Sequence, residues 1–182
     1  MKKALLIASV LFIAVITTAC INNIAVQELN NKAAEYMQKG DYESAVNRLQ
    51  ASIDLDSSMY ETYYNLGIAA TNAKKYDIAI EAFENGIKIK SDFVNFYYSL
   101  AVAQAEYADK LEDLMDDTKK EEKDNNKQKI VDLNNSAIEN AKKYLELAPE
   151  ASDKEEVEDF IEGLKESVND DVEKEQQVLL KG

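Results

Sequence analysis

Cys20 is the only cysteine in the 182-residue sequence, and it sits where an apolar run ends. A disulfide within one chain is therefore impossible, so a thiol at this place needs another reason. No histidine is present, which removes the usual general base and the commonest metal ligand together. Adjacent acids occur at Asp116-Asp117, Glu121-Glu122 and Asp170-Asp171. Paired carboxylates do acid–base work when burial drives their pKa values apart, and these pairs lie in charged, solvated segments. There is no Gly-rich phosphate loop and no acidic loop with calcium spacing. The residues thus point away from an enzyme, and toward no metal and no cofactor. A net charge of −14 repels phosphate backbones, which excludes nucleic acid as a partner and favours a neutral or basic one.

The segment that leads to Cys20 has three parts. Lys2 and Lys3 are a positive end, Ala4 to Ile16 an apolar stretch, and Thr17-Thr18-Ala19 a run of small residues. That order is secretory-signal architecture, because the positive end stays cytoplasmic while the apolar part enters the membrane. The segment resembles a bacterial lipoprotein signal with its lipobox. The resemblance implies cleavage before Cys20 and acyl chains (palmitate among them) on that residue. It departs at Thr17, where the family prefers Leu. The competing reading is an uncleaved anchor, since Ala4 to Ile21 is 18 uncharged residues, close to the ~20 that cross a bilayer. A fully secreted form is the third reading; all three put the remainder outside the cytoplasm, and the first two in the cell envelope with the membrane unspecified.

What the rest of the chain must build is legible in a repeat. Tyr42 and Tyr76, Ala45 and Ala79, Leu49 and Phe83, and Ile53 and Ile87 are each 34 residues apart. Tyr63, Leu66, Gly67 and Ala70 form one helical stripe, and Tyr76, Ala79, Ile80, Phe83 and Ile87 another. Two short helices cannot bury both stripes alone, so the next pair must stack on them. Five glycines and one proline leave few helix stops, and sustained strand alternation is absent. The expected class is all-α.

These positions resemble the tetratricopeptide repeat family. Its pattern is met by Leu29, Ala33, Tyr36, Gly40, Tyr42, Ala45 and Leu49 in one unit, and by Tyr63, Leu66, Gly67, Tyr76, Ala79 and Phe83 in the next. A third unit opens with Tyr97, Leu100 and Ala101 and resumes late, at Ala137 to Glu150, with Ala141 in the Phe slot and Tyr144 in a small-residue slot. The resemblance implies an α-solenoid over residues 26–149, with units at about 26–59, 60–93 and 94–149, after a signal at 1–19 and a short linker at 20–25. The third unit holds an insertion at about 109–134, read as a helical hairpin that turns at Asp124-Asn125-Asn126. That hairpin is either a contact arm or a tolerated extension. Ser152 with Glu155 has capping-box spacing, so a capping helix is expected over 150–168, followed by a tail at 169–182 whose Val178-Leu179-Leu180 either packs back or stays loose.

In this family the first helices of successive units line a concave groove that receives a partner segment. The resemblance places Asn30, Tyr64, Ile68, Tyr98 and Val102 on that face, with Asn31 and Asn65 where relatives bond a ligand's backbone. Tyr64 and Tyr98 have a second reading, as side chains that simply pack on neighbouring helices. No Lys or Arg falls on the stripe, which disfavours a carboxylate ligand. The expectation is a lipid-anchored adaptor that binds a protein or peptide. A structural spacer and a carboxylate-based enzyme are its rivals.

Overall fold

The computed structural model describes residues 23–115 and 120–179, with side chains for 23–115 and 125–169. Cys20, the signal segment and Asp116-Asp117 lie outside the described residues, as do the side chains of Glu121, Glu122, Asp170 and Asp171. Seven helices occur among the described residues, and no strand. They are α1 (23–38), α2 (Tyr42–Leu55), α3 (Tyr60–Asn72), α4 (Tyr76–Ile89), α5 (Asn95–Leu114), α6 (Lys120–Leu147) and α7 (Lys154–Leu179). Consecutive helices pair as hairpins, each from α2 onward packs on its successor, and α3 also meets α5.

The two short hairpins make the same turn with different residues. At the first, Gly40 has φ 75° and the Asp41 N–H donates to Tyr36 O at 2.9 Å. At the second, Lys74 has φ 57° and the Lys75 N–H donates to Ala70 O at 2.8 Å. Both are left-handed C-terminal caps of the kind glycine suits, and Lys74 makes the turn without glycine's freedom. Asp41 then caps α2, its carboxylate accepting from the Ser44 N–H at 3.1 Å.

The core runs through the stack in two main clusters. The first joins α1 to α4 with the start of α5, around Leu49, Phe83 and Phe96, all fully buried. The second joins α5, α6 and α7 around Ala101, Ala141, Tyr144 and Val157. Ala45 and Ala79 are fully buried, as close helix approach requires. Gly67 lies under the Phe83 ring and Gly86 under the Phe96 ring; a Cβ at either would stand within 2.2 or 2.1 Å of ring carbons.

The third hairpin is lengthened on both limbs. α5 has 20 residues against 13 for α3, and α6 has 28 against 14 for α4. The expected turn at Asp124–Asn126 is instead helical, because α6 has already begun at Lys120. At the base of the arm Ala108, Leu111 and Ile130 make a small third cluster. There the arm is also tied back to the second hairpin. Tyr76 stacks on Tyr107 at 5.6 Å, and the Tyr107 hydroxyl donates to Asp77 at 3.2 Å while accepting from Lys129 at 2.7 Å.

The closing helix also differs from expectation. α7 starts at Lys154, with the Asp153 carbonyl accepting the first helical bond, so Asp153 takes the capping place expected of Ser152. Its carboxylate is held by the Tyr144 hydroxyl at 2.8 and 3.0 Å, which fixes the start of the helix one residue later. The helix then runs on to Leu179, through most of the residues assigned to the tail. Val157 and Ile161 cover the end of the second cluster, and the acids between them face solvent.

Candidate interaction surface

The 34-residue register places α1, α3 and α5 as the first helices of successive hairpins, and their shared face carries two hollows. One, between α1 and α3, has a volume of about 250 Å³ and is lined by Asn30, Ala34, Met37, Gln38 and Asn65, with Ala33 and Leu49 at its base. The other, between α3 and α5, is also about 250 Å³ and is lined by Ile68, Thr71, Asn72, Tyr98, Ser99, Val102 and Glu106. Five of the seven expected groove residues therefore line a hollow: Asn30 and Asn65 in the first, Ile68, Tyr98 and Val102 in the second. Asn31 is exposed and lines neither.

Tyr64 lines neither hollow. Its ring meets Phe93 at 5.2 Å, Phe96 at 5.5 Å and Phe83 at 6.0 Å, edge-on or tilted, and its hydroxyl accepts from Ser99 at 3.4 Å. This tyrosine is part of the wall that joins two hairpins. Tyr98 does both jobs: it lines the second hollow while packing on Tyr144 at 5.4 Å and Phe160 at 6.0 Å. Burial, then the nearby Glu156 and Asp153, holds its phenol above the ordinary pKa, so it presents a neutral hydroxyl at physiological pH.

Polar chemistry on this face is one-sided. Asn30 spends its amide nitrogen on Thr62 Oγ1 at 3.1 Å, and its carbonyl oxygen is buried without a partner. An unpaired buried acceptor is a local cost, and at under 1 Å² of exposure this oxygen is not open to a ligand. No Lys or Arg lines either hollow, and Glu106 adds a carboxylate to the second. Beside it, burial and then Asp113 raise the Asp109 carboxyl above its usual range. No group of acids, cysteine and histidine suited to a metal ion occurs among the described residues, and no helix among them is long and apolar enough to cross a membrane.

Gln38, Asn72 and Ser99 were missed in the sequence reading. Their signal was available: 38, 72 and 106 are themselves 34 apart, as are 31, 65 and 99. Extending the register by one position along each first helix finds them.

Comparison with known proteins matches these elements. A family described as TPR repeat covers residues 33–70, and one described as Tetratricopeptide repeat covers 60–93. No curated protein matches the sequence. Among solved structures, the second TPR domain of human RPAP3, in complex with the HSP70 peptide SGPTIEEVD, aligns with TM-score 0.60 at 13% identity, over 78% of this chain and 98% of that one. The Yersinia enterocolitica type III secretion chaperone SycD, with a peptide of the translocator YopD, gives 0.56 at 17%, over 79% and 91%. The TPR2B domain of yeast Sti1, in a pHsp70 complex, gives 0.56 at 16%, over 79% and 98%. At such identities the likeness is one of fold.

Proposed function

Because this chain is a tetratricopeptide-repeat protein, we propose that it is an adaptor that takes a neutral or basic segment of a partner protein along the face of α1, α3 and α5. One observation carries the reading: two hollows in line on that face, with a carboxylate at Glu106 and no cation in either lining. The peptide held by the human RPAP3 domain ends in two glutamates, a valine and an aspartate. A ligand of that charge would find no lysine or arginine here to meet it. A segment with a positive charge supplies what these hollows lack.

The adaptor is proposed to work outside the cytoplasm, tethered by acyl chains on Cys20, which the lipoprotein-like order of residues 1–20 supports. Its setting would be the bacterial cell envelope. Mass spectrometry of the mature N-terminus tests the tether, and a free Met1 removes it. For the groove, Asn65→Ala with Glu106→Lys changes two exposed side chains and spares the aromatic wall at Tyr64. Affinity capture from envelope extracts should lose its specific partner with this variant; unchanged recovery removes the groove from the account.

A spacer role has one observation in its favour, the tie of Lys129 and Tyr107 to Asp77 that sets the base of the arm against the second hairpin. Deleting Asp109–Asn134 separates the two readings. A spacer loses function with the shortened arm and tolerates groove changes; the adaptor does the reverse.

A further inference from the structure

A third hollow, larger than these two, lies elsewhere. It lies between α2 and α4, the second helices of the first two hairpins, with α3 at its base, and measures about 490 Å³. It shares no lining residue with the two hollows on the α1–α3–α5 face. Ile53, Tyr63 and Ile78 give it apolar surface, each only partly buried. Asp54 and Glu81 stand on it from opposite helices, both exposed, and no ion pair among the described residues engages either one. The Tyr63 ring contacts no other aromatic ring and no cation, unlike Tyr60, Tyr64, Tyr76 and Tyr107. Two amides, Gln50 and Asn85, also line it; Lys88 donates to Asn85 at 3.0 Å and is not part of the lining.

We infer that this hollow is a second docking site, which seats a lysine or arginine side chain of a partner protein together with a neighbouring aliphatic residue. The chemistry is set by what is left open. An unoccupied tyrosine face attracts a cation's stem and head. Two unpaired carboxylates on facing helices can close on that head from both sides, and the isoleucines take the aliphatic neighbour. The strong negative charge of the whole chain steers a basic segment in and turns an acidic one away. The site rests on none of the groove residues, so either can stand if the other fails. A chain with both faces in use would hold two partner segments at once, one on each side of the same hairpins.

The test uses the full chain in detergent micelles, isotopically labelled, and three capped tripeptide amides as probes: Leu-Arg-Leu, Gly-Arg-Gly and Leu-Glu-Leu. Leu-Arg-Leu should shift the amide resonances of Ile53, Tyr63 and Ile78, with weaker effects from Gly-Arg-Gly and none from Leu-Glu-Leu. Asp54→Asn with Glu81→Gln changes two exposed carboxylates and should weaken Leu-Arg-Leu binding by about tenfold, two exposed ion pairs being worth roughly that much. Glu166→Gln on α7, an exposed acid in none of the hollows, should leave it unchanged. The inference is overturned if Leu-Arg-Leu leaves those resonances in place, or binds the double variant equally well. It is overturned too if Gly-Arg-Gly matches it, which would mean charge attraction alone, or if the shifts appear at Ile68 and Val102 instead. Sedimentation supplies a last check: should the hollow be an interface between two copies, the double variant will dissociate a dimer and the assigned occupant is wrong.

Discussion

Gly67 and Phe83 make a size-matched pair, and the first hairpin shows what the alternative pair looks like. The residues 34 positions earlier are Ala33 and Leu49, a larger small residue against a smaller large one. A methyl on Gly67 would come within 2.2 Å of the Phe83 ring, which is fully buried and hemmed in by Tyr64 and Phe96. The ring cannot swing away, so overpacking should cost about 2–3 kcal/mol, the upper part of the usual range. Replacing glycine inside a helix returns about 1 kcal/mol, which leaves Gly67→Ala destabilising by about 1–2 kcal/mol. Phe83→Leu alone should cost about 1–1.5 kcal/mol in lost burial and ring contacts. Together, the two changes rebuild the first hairpin's pair, because the shorter side chain vacates the space the methyl needs. The double variant should then sit within about 0.5 kcal/mol of the parent, a coupling of about 2 kcal/mol in a cycle of four denaturant titrations. Additivity within 0.5 kcal/mol, roughly the error of such cycles, would refute the claim that volume is traded between units.

Two further predictions concern stability. Lys74→Gly relieves a left-handed residue at φ 57°, and should stabilise by about 0.5–1 kcal/mol, read as a thermal midpoint raised by a few degrees. Tyr144 has its phenol pushed up to about 12, by burial first and then by the Asp153 carboxylate it bonds. The folded chain thus keeps a proton that the unfolded chain gives up near pH 10, and this contribution to stability is full below pH 10 and lost as pH rises toward 12. Tyr144→Phe should lower stability at pH 8 and flatten the alkaline decline, as seen by denaturant midpoints at pH 8 and pH 11; an equal decline in both proteins would remove this tyrosine from the explanation.

The sequence disclosed most where one residue type had one structural meaning. The register of Tyr42, Ala45 and Leu49 with Tyr76, Ala79 and Phe83 is visible because close helix packing leaves little choice at those places. It was less explicit in the arm, where the polar run around Asp124–Asn126 reads as a turn and is helical. Polarity suits a turn and an exposed helix equally, so nothing local separates them. The cap went one residue astray for a different reason. Ser152 fits the local rule, but Tyr144 reaches Asp153 from the previous helix, and that bond spans nine positions of sequence. On the interaction face the register found Asn30, Asn65, Ile68, Tyr98 and Val102 by periodicity alone. It could not tell that Tyr64 turns toward Phe93 and Phe96, since that depends on rings in the α4–α5 loop and in α5.

The ring of Phe96 seated over Gly86 has a consequence for how the pile assembles. Thirty-four residues back, the corresponding places hold Thr62 and Ser52, both buried. A third hairpin that slid one storey down would press a phenyl group where only a threonine fits, while a glycine below its proper partner would face empty space. Look-alike storeys invite miscounting and exchange between neighbouring molecules, and individually cut seats make each storey recognise its own successor.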